Sequence, residues 1–146
     1  MALDDNSFSI FLDTIKKFVD NKLIPREQEV EDTNSIPIDI VREMKDIGLF
    51  GISIPTKYGG SNLSMEQEVK LTFELGRASP AFRSMAGTNI GIGSQTIVMA
   101  GTDKQKNKYL PKFSTGDIIG SFALTEPDSG SDAMSIKTTA KKKGNE

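Results

Sequence analysis

Apolar residues recur at helical spacing from the start of the chain. Phe8, Phe11, Leu12, Ile15, Phe18 and Val19 predict an amphipathic helix over residues 7–23. Pro25 marks its end, because proline removes a backbone donor and clashes with the preceding turn. The polar stretch 26–35 reads as a connection whose first part can instead prolong the helix. Pro37 suits the first turn of a second helix, with Ile40, Val41, Met44 and Ile47 on one face and Gly48 as the stop. An apolar run over 49–54 then closes at Pro55 and leads into the glycine-rich turn at Tyr58, Gly59 and Gly60. Ser64 and Gln67 have the spacing of a capping box and open a third helix through about Ala78. Its apolar residues (Met65, Val69, Leu71, Phe73, Leu75) lie on more than one face, which predicts burial on several sides. A fourth helical stretch covers 80–100. Thr102 and Gln105 repeat the capping-box spacing before a short helix to Tyr109.

After Pro111 the pattern changes. Gly116 and Asp117 form a turn, and 118–124 and 136–143 read as strands. The chain therefore divides into a helical domain, 1–117, and the beginning of a β-domain, 118–146. Two strands do not make a sheet with a buried face, so the second part reads as truncated and the chain as a fragment.

At 146 residues, the chain suits one domain with the start of another. Its 36% apolar and 26% charged residues describe an ordinary soluble protein that can build a core. The net charge of −2 gives no attraction to nucleic acid or to an anionic membrane, and Lys141, Lys142 and Lys143 read as a solvated hairpin end. The chain has no cysteine and no histidine. That removes disulfides, thiol nucleophiles, Ser–His hydrolysis and most zinc sites, and no metal is expected. No apolar run has membrane-spanning length, and the start (Met1, Ala2, Leu3, Asp4, Asp5) is acidic where a signal peptide is basic. A cytoplasmic location is the expectation.

The densest chemistry lies in Phe122-Ala-Leu-Thr-Glu-Pro-Asp-Ser-Gly-Ser-Asp132. A short apolar run stops at a turn rich in hydroxyls, acids and glycine. Pro127 pre-sets φ and Gly130 accepts positive φ, so Thr125, Ser129, Ser131 and the nearby N–H groups can converge on one oxygen-rich ligand. An ordinary surface turn has the same local ingredients.

The flanks extend the pattern. This string resembles the flavin- and substrate-binding signature of the acyl-CoA dehydrogenase family. Gly48-Leu-Phe-Gly51 running to Pro55 and Tyr58-Gly-Gly60 matches in order and spacing. So do Gly101-Thr-Asp, Gln105-Lys and Tyr109-Leu-Pro111. The resemblance covers roughly the whole chain and implies a mainly α fold: the family's N-terminal helical bundle followed by the first strands of a β-barrel-like domain. It implies FAD as cofactor and an acyl-CoA thioester oxidised to the 2,3-enoyl-CoA. A homotetramer and an electron-transfer flavoprotein as electron acceptor follow from the same analogy.

By that resemblance, Phe122, Ala123, Leu124 and Thr125 run along the flavin ring, with the Thr125 hydroxyl near the N5 and O4 side. Fixed donors there favour the negative charge that reduction brings. Ser131 matches a serine that reaches the flavin pyrophosphate and the thioester ligand, and Gly130 allows that approach. Glu126 and Asp132 read as turn-stabilising residues. The family's base is a glutamate in a C-terminal helical domain, so no catalytic residue is expected here and the chain alone is expected to be inactive.

Gly87, Gly91 and Gly93 fall within seven residues of a helical stretch, where each costs up to ~1 kcal/mol against alanine. Thr88, Gly91, Ile92 and Gln95 share one face. Such a face makes either a groove for a thin acyl chain or a close helix–helix crossing; the resemblance implies the groove. Phe82-Arg83-Ser84 is similar to an aromatic-Arg-Ser segment of the glutaryl-CoA dehydrogenase branch, whose arginine holds the substrate's distal carboxylate. Gly87 stands where that branch carries a serine, and Arg83 reads equally as a solvent-facing residue or a subunit contact. The alternatives are thus a glutaryl-type dicarboxylyl-CoA enzyme and a non-catalytic helical interaction domain of the same fold. A doubly wound nucleotide-binding enzyme is disfavoured, because Gly91-Ile-Gly93 lacks a third glycine at the required spacing.

Overall fold

The computed structural model describes residues 3–144; Met1 and Ala2 of the acidic start and the last two residues of the 118–146 segment lie outside the described residues. The first helix, α1 (Asp5–Phe18), begins where the Asp4 carboxylate accepts the Ser7 N–H at 2.9 Å. It continues through a π turn (Val19–Leu23) and a 3₁₀ turn (Ile24–Arg26) into α2 (Glu27–Thr33). Pro25 therefore does not end the helix. In the wider π turn the Ile24 N–H reaches the Val19 carbonyl, and Pro25 falls in the first turn of a new helical segment, where a missing N–H is no loss. Arg26 then fastens α2 to the start of the next helix, with Nε 2.6 Å from Glu29 Oε2 and Nη1 2.6 Å from Asp39 Oδ2.

After α3 (Ile38–Asp46), Gly48 turns the chain at φ +82°. The apolar run that follows folds as tight turns with Leu49, Phe50, Ile52 and Ile54 fully buried. Gly60 closes this loop. A Cβ there would lie 2.1 Å from the Ile54 carbonyl oxygen, a distance only glycine permits. The capping box of Ser64 and Gln67 opens α4 (Met65–Leu75) as its spacing predicts. Then come α5 (Pro80–Thr88), a second π turn (Asn89–Gly93), α6 (Ser94–Ala100) and α7 (Asp103–Ser114), the last opened by the Thr102–Gln105 capping box.

The main core lies among α1, α3, α4, α5 and the 49–54 turns, centred on Ile15, Met44, Phe50, Leu71 and Phe82. A smaller cluster of Ile54, Tyr58, Leu110 and Phe113 seats α7. That cluster explains why α7 passes Pro111 instead of stopping at Tyr109. Burying Leu110 and Phe113, worth about 1.5–3 kcal/mol each, offsets the ~3 kcal/mol of an interior proline.

Two expectations need correction. The α4 helix is covered on one side only: Leu71 and Leu75 are buried, whereas Met65, Val69 and Phe73 form an exposed stripe at four-residue spacing. The predicted strands are absent among the described residues. Residues 119–125 have no regular structure and no paired strand among the described residues, and 136–143 have no regular structure apart from contacts to one turn. A strand is defined by a paired partner, and nothing described here supplies one. What holds is the mainly helical fold.

Candidate functional site

The second π turn organises the site. Asn89 is fully buried; its Nδ2 donates to the Phe113 carbonyl at 3.2 Å and its Oδ1 accepts the Gly120 N–H at 2.8 Å. Gly93 meets the same strap. A Cβ at Gly93 would lie 3.4 Å from Gly120 Cα, and one on Gly120 would lie 2.7 Å from the Phe113 ring. The glycines thus let residues 118–121 lie flat on the helix. The Ile90 carbonyl accepts hydroxyls from Ser53 at 2.7 Å and Ser94 at 3.2 Å, so the backbone of the widened turn is satisfied by side chains.

Beyond this clamp the strap becomes exposed. Phe122, Ala123, Leu124 and Thr125 all face solvent, and among the described residues no protein acceptor takes their backbone N–H groups. Gly130 and Ser131 are exposed too, while Ser129 is buried and donates to the Asp132 carbonyl at 2.6 Å. Glu126 is occupied. Its carboxylate accepts the N–H groups of Lys137 at 2.9 Å and Thr138 at 2.7 Å, and also the Thr138 hydroxyl. The Lys137 N–H above all, then the Thr138 hydroxyl, holds its carboxyl below the usual range. Asp132 accepts the Ser135 hydroxyl. Both acids fasten the turn, in line with the sequence reading.

A groove runs between α4 and α5. Its inner part, about 140 Å³, lies among Leu71, Leu75, Gly87, Ile90 and Gly91. Its outer part, about 420 Å³, lies among Met65, Val69, Phe73 and Gly76. Glu68, Thr72 and Arg83 line both parts and form a polar waist between them. The Arg83 guanidinium lies beside Gly87: a Cβ there would be in ordinary contact with its Cζ at 3.5 Å. Burial pushes the Glu68 carboxyl up.

The structure splits the face predicted from spacing. Gly91 lines the groove beside Arg83, and a side chain at Gly91 would meet open space. Thr88 is half-buried, Ile92 is 54% exposed, and Gln95 donates its amide to the Ser53 carbonyl at 3.1 Å. None of these three lines the groove. Asn89 and Glu68 were not singled out from sequence. The signal for Asn89 was a lone amide in an apolar, glycine-rich stretch; Glu68 looked like any charged helix residue.

The strap offers an aromatic face at Phe122, unpartnered backbone donors and the hydroxyls of Thr125 and Ser131. That donor set fits the carbonyl edge and phosphates of a flavin nucleotide. The fold is thus a helical domain that carries an apolar groove and an exposed, hydrogen-bonding strap.

The chain belongs to the acyl-CoA dehydrogenase family: the model of the acyl-CoA dehydrogenase, N-terminal domain, matches residues 7–117. An acyl-CoA dehydrogenase of Bacillus subtilis is 36% identical over 129 residues, covering 88% of this chain and 34% of the relative. The structure of an acyl-CoA dehydrogenase complexed with FAD from Bacillus anthracis superposes with a TM-score of 0.79 at 33% identity, covering 92% of this chain and 23% of that one. A glutaryl-coenzyme A dehydrogenase in its glutaryl-CoA complex gives 0.81 at 31% identity, covering 93% and 35%. The chain spans about a third of the length of the curated relatives it matches.

Proposed function

We propose that this chain supplies the N-terminal helical wall and the flavin-edge strap of an FAD-dependent acyl-CoA dehydrogenase, which converts an acyl-CoA thioester to its 2,3-enoyl-CoA. The observation that carries the reading is the Asn89 clamp, which fixes the strap at Gly120 and leaves the donors of Phe122–Thr125 turned to solvent. When bound, FAD supplies the acceptor for the hydride that leaves the substrate β-carbon. Backbone donors at Leu124 and Thr125 and the Thr125 hydroxyl hold the flavin edge. Ser131, beside Gly130, reaches the phosphates and the thioester. Of the predicted face of Thr88, Gly91, Ile92 and Gln95, Gly91 borders the acyl chain in the α4–α5 groove. No residue of this chain is assigned to proton abstraction; Glu126 is engaged by Lys137 and Thr138.

In this reading, residues 1–117 are the helical domain and 118–146 open a β-domain whose later strands give the strap its pairing. The protein is a cytoplasmic homotetramer that hands electrons to an electron-transfer flavoprotein. A glutaryl-type dicarboxylyl-CoA enzyme is the second reading, favoured by the place of Arg83 in the groove beside Gly87 and Gly91.

The test uses protein expressed from the complete reading frame. Its visible flavin spectrum is recorded, followed by anaerobic titration with straight-chain, branched and dicarboxylyl acyl-CoAs. Bleaching of the flavin band by one class supports the reading. A colourless protein that takes up no FAD overturns it in favour of a non-catalytic helical interaction domain.

A further inference from the structure

The waist of the α4–α5 groove holds two opposite charges where the dicarboxylyl reading uses one. Arg83 alone would offer a planar fork to a carboxylate at the end of an acyl chain. Glu68 presents an acid to the same space, and it lines both parts of the groove just as Arg83 does. We infer that Glu68 is a specificity-determining residue that turns this groove away from acyl groups ending in a second carboxylate, so that the preferred substrate is a monocarboxylic acyl-CoA with an apolar tail. This rests on the acyl-CoA dehydrogenase reading of the same face.

The argument is one of competing charges. A tail carboxylate at the waist is attracted by the guanidinium of Arg83 and repelled by the carboxylate of Glu68, since both side chains line it. Coulomb terms of opposite sign then reduce the gain available to offset the carboxylate's desolvation. Gly87, the other α5 residue that lines the groove, adds no side-chain donor beside Arg83. Among the described residues the Glu68 side chain makes no hydrogen bond or ion pair, and burial pushes its carboxyl up. An aliphatic tail meets a different surface. Leu71, Leu75 and Ile90 on the inner side and Met65, Val69 and Phe73 on the outer side are carbon-lined, and burying a chain against them is favourable by about 25 cal/mol per Å².

The test compares glutaryl-CoA with pentanoyl-CoA, its counterpart without the second carboxylate. Affinities are measured by calorimetry on protein from the complete reading frame. The parent protein is expected to bind pentanoyl-CoA about tenfold more tightly. Glu68→Gln should move the glutaryl-to-pentanoyl ratio about tenfold toward glutaryl-CoA, Glu68→Asp should keep the parent ratio, and Arg83→Gln should move it the other way. A parent that prefers glutaryl-CoA, or a Glu68→Gln protein with the parent ratio, overturns the inference. Binding is read independently of flavin reduction. A failure to bleach the flavin would therefore count against the dehydrogenase reading, while the affinity ratio still judges Glu68.

Discussion

The side-chain oxygen of Asn89 accepts the backbone N–H of Gly120 at 2.8 Å, from within a π turn and across 31 residues of sequence. The same side chain donates to the Phe113 carbonyl at 3.2 Å, so one buried amide joins the widened turn, the end of α7 and the root of the strap. Through this joint, the helical domain sets where residues 122–125 begin.

Asn89→Ala leaves the Gly120 N–H without its partner and the Phe113 carbonyl with only the Gly116 N–H, and an unmet buried polar group costs about 1–3 kcal/mol. A loss of about 2 kcal/mol in urea unfolding is expected, with faster hydrogen exchange at Gly120 and in the strap. Wild-type exchange at Gly120 in the variant would show that the strap is held by other contacts.

Two glycines separate tight packing from open space. Gly60→Ala drives a Cβ into the Ile54 carbonyl oxygen, 2.1 Å away, and should destabilise by about 3 kcal/mol or more in thermal melts. Gly91→Ala meets no atom within 4 Å and should stabilise by up to ~1 kcal/mol through helix propensity. If Gly91→Ala proves as damaging as Gly60→Ala, the groove wall is tighter than its geometry indicates.

The capping boxes act on separate helices. Ser64→Ala and Thr102→Ala each remove a side-chain acceptor for an N3 N–H, and each should cost about 1 kcal/mol. The double variant should lose the sum, because the two sites share no partner. Chemical denaturation of the four proteins checks this, and strong non-additivity would contradict it.

The Arg26 bridge makes a pH-dependent contribution. Its hydrogen bonds are the main cause that holds the Glu29 and Asp39 carboxyls below their ordinary values. A depressed folded-state value means the stabilisation is present above the ordinary carboxylate range near about pH 4 and is lost as pH falls through the lowered values. Parent and Arg26→Gln should therefore differ in urea midpoint near neutrality and converge in acid. A gap that stays constant down to about pH 2 would show that the bridge contributes nothing pH-dependent.

Local signals carried well from sequence to structure. Ser64 with Gln67, and Thr102 with Gln105, cap their helices as their spacing predicts, and Gly48 turns the chain after α3 with positive φ. In each case the partners are adjacent in the chain, so the hydrogen bond or the backbone strain is decided within a few residues. The family signature was equally legible, since it consists of ordered motifs along the sequence.

Other features depend on partners distant in the chain. Pro25 and Pro111 look like helix ends, yet the helices continue because a π turn and the buried Leu110 and Phe113 override a local penalty. Residues 118–124 have strand-like composition, but a strand needs a neighbouring ladder, which the described residues do not contain. Met65, Val69 and Phe73 are apolar and exposed because burial is set by what packs against a helix, not by its composition. The sequence alone determined the starts of α4 and α7, their caps and the family. Tertiary structure decided which glycines are tight, that Asn89 is buried, and that Glu68 and Arg83 share one groove, because each of these depends on groups brought together across the fold.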